Sequence, residues 1–236
     1  MYYPMGMFYD WTYILVLIGA VISMIASANV SSTFKKYSVI RSGTGITGAQ
    51  AAEEILRRNG ITDVSVKPVR GNLTDHYNPA TKTVNLSESV YDSQSVAAIG
   101  VAAHECGHVM QHADGYLPLS IRAALVPVAN FGSRLGIPVC ILGFFLGEMG
   151  GTFITIGIWM FSLGVAFQIV TLPVEFNASS RALSQLESNG MLSGEELVHT
   201  RKVLSAAALT YVAAAAASIM QLLRLILLFG GNRRRD

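Results

Sequence analysis

Long stretches of this chain carry no charge, and those gaps define its first elements. No charged residue lies between Trp11 and Phe34, and Trp11–Ala28 is almost continuously apolar or small. As a helix rising 1.5 Å per residue, this stretch is long enough to cross a hydrocarbon core of ~30 Å. Its head holds Tyr2, Tyr3, Tyr9, Trp11 and Tyr13, the residue types that gather at a membrane interface. A cleaved leader would start with a basic segment, and no Lys or Arg precedes the apolar run. Residues 11–30 therefore read as an uncleaved anchor.

Three further apolar segments follow. Between Glu148 and Glu175 all 26 residues are uncharged, and Phe153–Leu172 gives the clearest spanning helix. Before it, Ala123–Phe131 and Leu135–Leu146 join into one helix that Pro127 and Pro138 would kink, with Arg134 expected on a protein-facing side. Gly147, Gly150 and Gly151 around Glu148 supply the turn, so 123–172 reads as a transmembrane hairpin. An Ala-rich run from Val203 past Arg224 to Phe229 makes a fourth span, 203–229. The polar blocks between spans are 31–115, long enough for a small domain, and 173–202.

Within these blocks the local signals are conventional. Thr47 as N-cap and Gly60 after the last turn predict a helix over 48–59, packed on the helix that contains His104. Asn78–Pro79–Ala80–Thr81 is a turn signal, and Lys82–Leu86 alternates like a half-exposed strand, giving an edge hairpin. Pro173 is suited to open a helix that Ser188–Asn189–Gly190 closes, and Ser193–Glu196 reads as a capping box for the next. The fold class expected is a mainly α membrane protein: about four transmembrane helices and a small α+β domain with an edge hairpin.

Composition agrees with lipid contact. The chain has 236 residues, 51% apolar but only 14% charged, well under the roughly 25% of soluble domains. Disorder is excluded by the aromatic and aliphatic content, and a disulfide framework by there being two cysteines, Cys106 and Cys140. A net charge of +2 gives no case for nucleic acid as a partner. Nine basic residues lie between Lys35 and Arg122, outside the spans, and Arg181, Arg201 and Lys202 in the second polar block. The positive-inside rule puts both polar blocks in the cytoplasm and the N-terminus outside. Four crossings would leave Arg233–Arg235 outside: either the last span does not fully cross, or twelve basic residues outweigh these three, and the second reading is preferred.

The chemistry lies in Val96–Gln111, which contains H-E-x-x-H as His104, Glu105, Cys106, Gly107 and His108 and makes the small α+β domain zincin-like. Histidines four apart share one helix face and can reach one Zn²⁺. Glu105, rotated about 100° from His104, is placed to take a proton from zinc-bound water. Eleven uncharged residues between Asp92 and His104 are too few to span, so this helix belongs to the polar domain. Cys106 points away as a packing residue. For a third ligand, His112 lies ~6 Å too far along the axis, and the position six after His108 is Asp114. A glutamate from a second helix is the other established arrangement. Glu175 follows the strongest span and falls on the same side as His108 if 123–172 is a hairpin; Glu187, Glu195 and Glu196 sit among surface residues.

The segments G-N-L-T-D-H-Y-N-P (71–79), V-A-A-H-E-C-G-H (101–108), L-P-V-E-F-N-A-S (172–179) and A-A-A-L-T-Y-V-A-A-A (206–215) resemble the neutral zinc metallopeptidases of bacterial membranes, the YugP-type family. The resemblance covers nearly the whole chain in order. E-F-x-A after a hairpin is also distantly similar to the membrane gluzincins that include the HtpX and CAAX prenyl proteases. The resemblance implies Zn²⁺ held by His104, His108 and Glu175, with Glu105 as general base, in a bacterial cell membrane. In the wider group an Asp four residues after the acidic ligand orients a histidine. Ser179 stands there, leaving Asn177, Ser179 and Arg181 as candidates for that work. Tyr211, His199 and His76 are possible oxyanion donors, with none assigned; for His76, Tyr77 and Tyr211 a structural role is the expectation. The function expected is a membrane-integral zinc endopeptidase acting on membrane-associated or misfolded proteins. The rival is a catalytically inactive membrane scaffold stapled by zinc.

Overall fold

The computed structural model describes residues 10–230; Tyr2, Tyr3, Tyr9 and Arg233–Arg235 lie outside them. Along the chain run α1 (Tyr13–Tyr37), α2 (Gly48–Arg58), β1 (Ser65–Val69), β2 (His76–Asn78), β3 (Thr83–Ser87), α3 (Glu88–Tyr91) and α4 (Val96–Ala113). Then come α5 (Leu117–Phe145), a 3₁₀ turn at Gly147–Met149, α6 (Gly150–Ser188) and α7 (Glu195–Gly230). Among the described residues four helices are long and apolar enough to cross a membrane: α1, α5, α6 and α7. The protein is mainly α, with a small α+β part.

The chain divides into two compact units. The first comprises residues 1–26, 120–172 and 210–236. In it α5 and α6 form the expected hairpin, turned at Gly147 with φ 54°. They meet through small residues: Gly132 lies against the Met160 carbonyl, and Gly136 against Gly157 and Phe161. Without a hydrophobic drive in lipid, close backbone approach is what holds such helices. Gly19 of α1 likewise meets Ala217 of α7. Nearby, Arg224 is 3.6 Å from Asp10 and lies over the Tyr13 ring, so that intramembrane charge is compensated.

The second unit comprises residues 27–119 and 173–209. Thr47 caps α2 in a full capping box with Gln50, and Gly60 takes φ +69° just past its end. The apolar face of α2, with Ala51, Ala52 and Ile55 fully buried, packs on α4. Val84 and Leu86 of β3 and Ala182 and Leu186 of α6 complete that core. The sheet order is β1-β3-β2, with β1 parallel and β2 antiparallel to β3. Asp75 ties the end of β3 down by accepting from the Ser87 backbone N–H at 2.7 Å and from its hydroxyl.

Three expectations are corrected. Pro173 does not open a helix: α6 runs 39 residues straight through it, because one missing backbone bond is small beside so long a ladder. Two helices continue past the expected spans: 203–229 forms the later part of one continuous α7, and α1 extends seven residues beyond position 30. Lys35 and Lys36 in its last turn suit the negative end of the helix dipole. The strand at 82–86 is not half exposed: β3 is central and buried at four of five positions, because β1, a strand the pattern did not predict, covers its other side. The free edge of the hairpin is β2. Arg134 is exposed. The inward face of α5 is Gly132, Gly136 and Cys140, and Arg134, two residues from each glycine, is turned about 200° from both.

Candidate metal centre

Ser95 caps α4 by accepting from the Ala98 N–H, and the small residues that follow bury the helix on every side up to the motif. His104 and His108 then lie one turn apart and meet edge to face, ring centroids 4.8 Å apart. Opposite them Glu175, 2% exposed, projects from α6. Its Oε2 lies 3.3 Å from His104 Nε2 and 3.6 Å from His108 Nε2. One donor atom from each of the three lies within 4.8 Å of the others.

Gly107 makes this approach possible. A Cβ there would stand 2.5 Å from the Ala178 carbonyl oxygen and 3.0 Å from its Cα, both α6 backbone atoms. Hydrogen bonds also fix which imidazole nitrogen faces inward. His104 Nδ1 pairs with Ser179 Oγ at 3.1 Å, and His108 Nδ1 with Gln111 Oε1 at 3.0 Å. The second assignment is anchored by a permanent cation. Arg181, which pairs with Asp114, donates its Nε–H to Asn177 Oδ1. The same oxygen accepts from Gln111 Nε2, which also donates to the Val174 carbonyl. Gln111 therefore turns its oxygen to His108, so Nδ1 carries the proton and the Nε2 lone pair faces Glu175. Two inward-facing imidazole Nε2 atoms and a buried carboxylate fit a divalent cation such as Zn²⁺ with one position left open.

Electrostatics favour a cation there. Burial alone would depress the His108 imidazole, but Glu175 and Glu105 outweigh it and hold it above its ordinary value. Glu105, itself buried, is not one of the three. It accepts the Tyr77 N–H of β2 at 2.9 Å. That N–H points away from β3, so the free edge of β2 faces Glu105.

The structure thus brings together His104, His108 and Glu175, with Glu105 alongside on the motif helix. His112 is exposed and packs edge-on against Tyr77, 6.0 Å between centroids. His76 is tied into the hairpin by Thr74 and Asn85, and His199 stacks on Tyr37. Tyr211 belongs to the first unit. Cys106 is fully buried with its Sγ 3.6 Å from the Ala52 carbonyl, and burial pushes its thiol far above the usual range. Gln111 and Gly107 carry no signal in the sequence until α6 is known to lie against α4.

Residues 12–230 match the family described as "Putative neutral zinc metallopeptidase". The chain belongs to that family. It is also 48% identical over 192 residues to the "Putative membrane protease YugP" of Bacillus subtilis (strain 168), covering 81% of this chain and 84% of that protein. No solved structure matches it. The family's description names zinc and a peptidase, the relative's a membrane protease, and His104, His108 and Glu175 form a donor set that zinc chemistry uses.

Proposed function

We propose that this protein is a multi-pass zinc-dependent endopeptidase of a bacterial cell membrane, with His104, His108 and Glu175 holding Zn²⁺ and Glu105 as general base. The observation that carries the reading is the convergence of two imidazole Nε2 atoms on buried Glu175 Oε2, beside a further carboxylate. When bound, Zn²⁺ would acidify a water and polarise the peptide carbonyl. Glu105 takes the proton from the attacking water and delivers it to the leaving nitrogen. Held by the Tyr77 N–H, its carboxylate is aimed before substrate arrives. A peptide added as a strand along the free edge of β2 would lie beside Glu105, bound through its backbone with little choice of sequence. The excess of Lys and Arg in the polar segments favours a site on the cytoplasmic side, and substrates among membrane-associated or misfolded proteins fit that place.

The test separates ligand from base. Glu105→Gln should keep zinc near full occupancy while casein cleavage in detergent falls ~10²–10⁴-fold; Glu175→Ala should lose zinc as well. Zinc-replete Glu105→Gln protein that cleaves at the wild-type rate would remove the peptidase reading and leave the inactive scaffold in its place. Cysteines at positions 60 and 190 should resist labelling from outside intact cells in a background lacking Cys106 and Cys140, and a cysteine at 148 should accept it.

A further inference from the structure

Arg134 and Arg224 both lie in helices apolar enough to cross a membrane, yet they are treated differently. Arg224 is largely buried, 3.6 Å from Asp10 and over Tyr13. Arg134 is exposed and has neither a hydrogen bond nor an ion pair among the described residues. It is also deep. The contacts of Gly132 with Met160 and of Gly136 with Gly157 set Arg134 level with residue 159 of α6. Eleven residues separate that level from Glu148 at the turn, and twelve separate Arg134 from Arg122, or about 16 and 18 Å along the helices. In a core of ~30 Å this is near the middle, further from either surface than an arginine head group snorkels without cost.

Arg134 is not alone on that face. Pro127, Asn130, Arg134 and Pro138 follow at helical spacing, all exposed and opposite the glycine stripe. Pro138 has no N–H to offer the Arg134 carbonyl four residues back, nor has Pro127 for Ala123. The face therefore presents a cation, an amide and two carbonyls lacking their usual donor. Ionisable side chains in spans almost always pair or face a protein interior. A second copy of the chain offers no acid at that depth: the described carboxylates of the first unit are Asp10, already paired with Arg224, and Glu148 at the turn. A symmetric pairing of this face would set Arg134 against Arg134. Lipid head groups sit at the surfaces, not at mid-depth.

We propose that this face of α5 docks a transmembrane helix carrying a carboxylate near the middle of its span. The inference rests on the hairpin crossing the membrane and is independent of zinc. Its test uses full-length protein carrying Glu105→Gln, in phosphatidylcholine–phosphatidylglycerol vesicles, with a labelled Leu/Ala helix bearing one central Glu. Energy transfer should show this helix binding roughly tenfold more tightly than its Gln or Leu counterpart, the scale of one polar contact between helices in lipid. Arg134→Leu should erase the difference, and Arg134→Lys should retain part of it. Thermal unfolding checks that each variant is folded, and labelling at position 148 checks the crossing separately. Equal binding of the Glu and Leu helices, or a preference that survives Arg134→Leu, overturns the proposal. So does an Arg134-dependent dimer of the protein alone, which would make the face a contact between copies.

Discussion

Replacing Gly107 by alanine tests how the site is assembled, because that residue sits where the helix of His104 and His108 touches the helix of Glu175. The added Cβ would stand 2.5 Å from the Ala178 carbonyl oxygen, where ordinary contact begins at 3.4 Å, so α4 and α6 must part by 3.4 − 2.5 = 0.9 Å at that point. Neither neighbour is a flexible side chain that could swing away. Metal–ligand distances tolerate about ±0.2 Å, so the displacement falls on the geometry between the two histidines and Glu175. Overpacking of this kind costs ~1–3 kcal/mol, which at 1.4 kcal/mol per decade is a loss of about 5- to 150-fold in zinc affinity. Metal-free stability should fall less, because alanine recovers ~1 kcal/mol of helix propensity. Gly100→Ala is the control: its Cβ meets the Thr200 methyl at 2.5 Å, on the same helix and just as tightly, but against a side chain of α7. Competition titration against a chromophoric chelator in detergent, paired with thermal unfolding of metal-free protein, separates the two outcomes. Gly107→Ala should lose zinc affinity out of proportion to stability, and Gly100→Ala should lose stability with zinc affinity unchanged. If Gly107→Ala binds zinc within twofold of wild type, the close crossing does not set the ligand geometry.

Gln111→Leu removes the acceptor that fixes the His108 tautomer, and partners of this kind typically carry 10–100-fold in metal affinity; Gln111→Glu, which restores an acceptor, should recover most of it in the same titration. The raised His108 value fixes a sign for pH. In metal-free protein its contribution to stability is complete below the ordinary imidazole value of about 6.5 and is lost as pH rises through the higher folded value. Zinc-loaded protein should do the opposite, gaining stability over that window as protons leave the ligands, and parallel slopes in denaturant titrations of the two forms would refute the assignment.

What could be read along the chain was whatever is local or periodic. The Thr47 cap, the Gly60 terminator, the hairpin turn at Gly147 and the four long apolar runs depend on neighbours within a few residues, so pattern alone places them. The histidine pair was legible for the same reason, since a spacing of four fixes a shared helix face without knowledge of anything else. Pro173 was misread because a proline stops a short helix more readily than one of 39 residues. The alternation at 82–86 was misread because it cannot report β1, which pairs with β3 from almost twenty residues upstream.

The sequence by itself determined that the chain is mainly helical, with four runs apolar enough to cross a membrane, and that two histidines at metal-ligand spacing and a glutamate lie on one helix. Tertiary structure decided everything that needs two elements to meet. Glu175 is 67 residues from His108 in sequence, and its carboxylate reaches both imidazoles only because Gly107 lets the α6 backbone close on α4. Gln111 is an unremarked polar residue until Asn177, held by Arg181, turns its amide and so selects the nitrogen His108 presents. Arg134 is the converse: its charge was visible at once, but whether it faced protein depended on which side of α5 the glycines gave to α6. Helical spacing fixes which residues share a face, and only packing decides what that face meets.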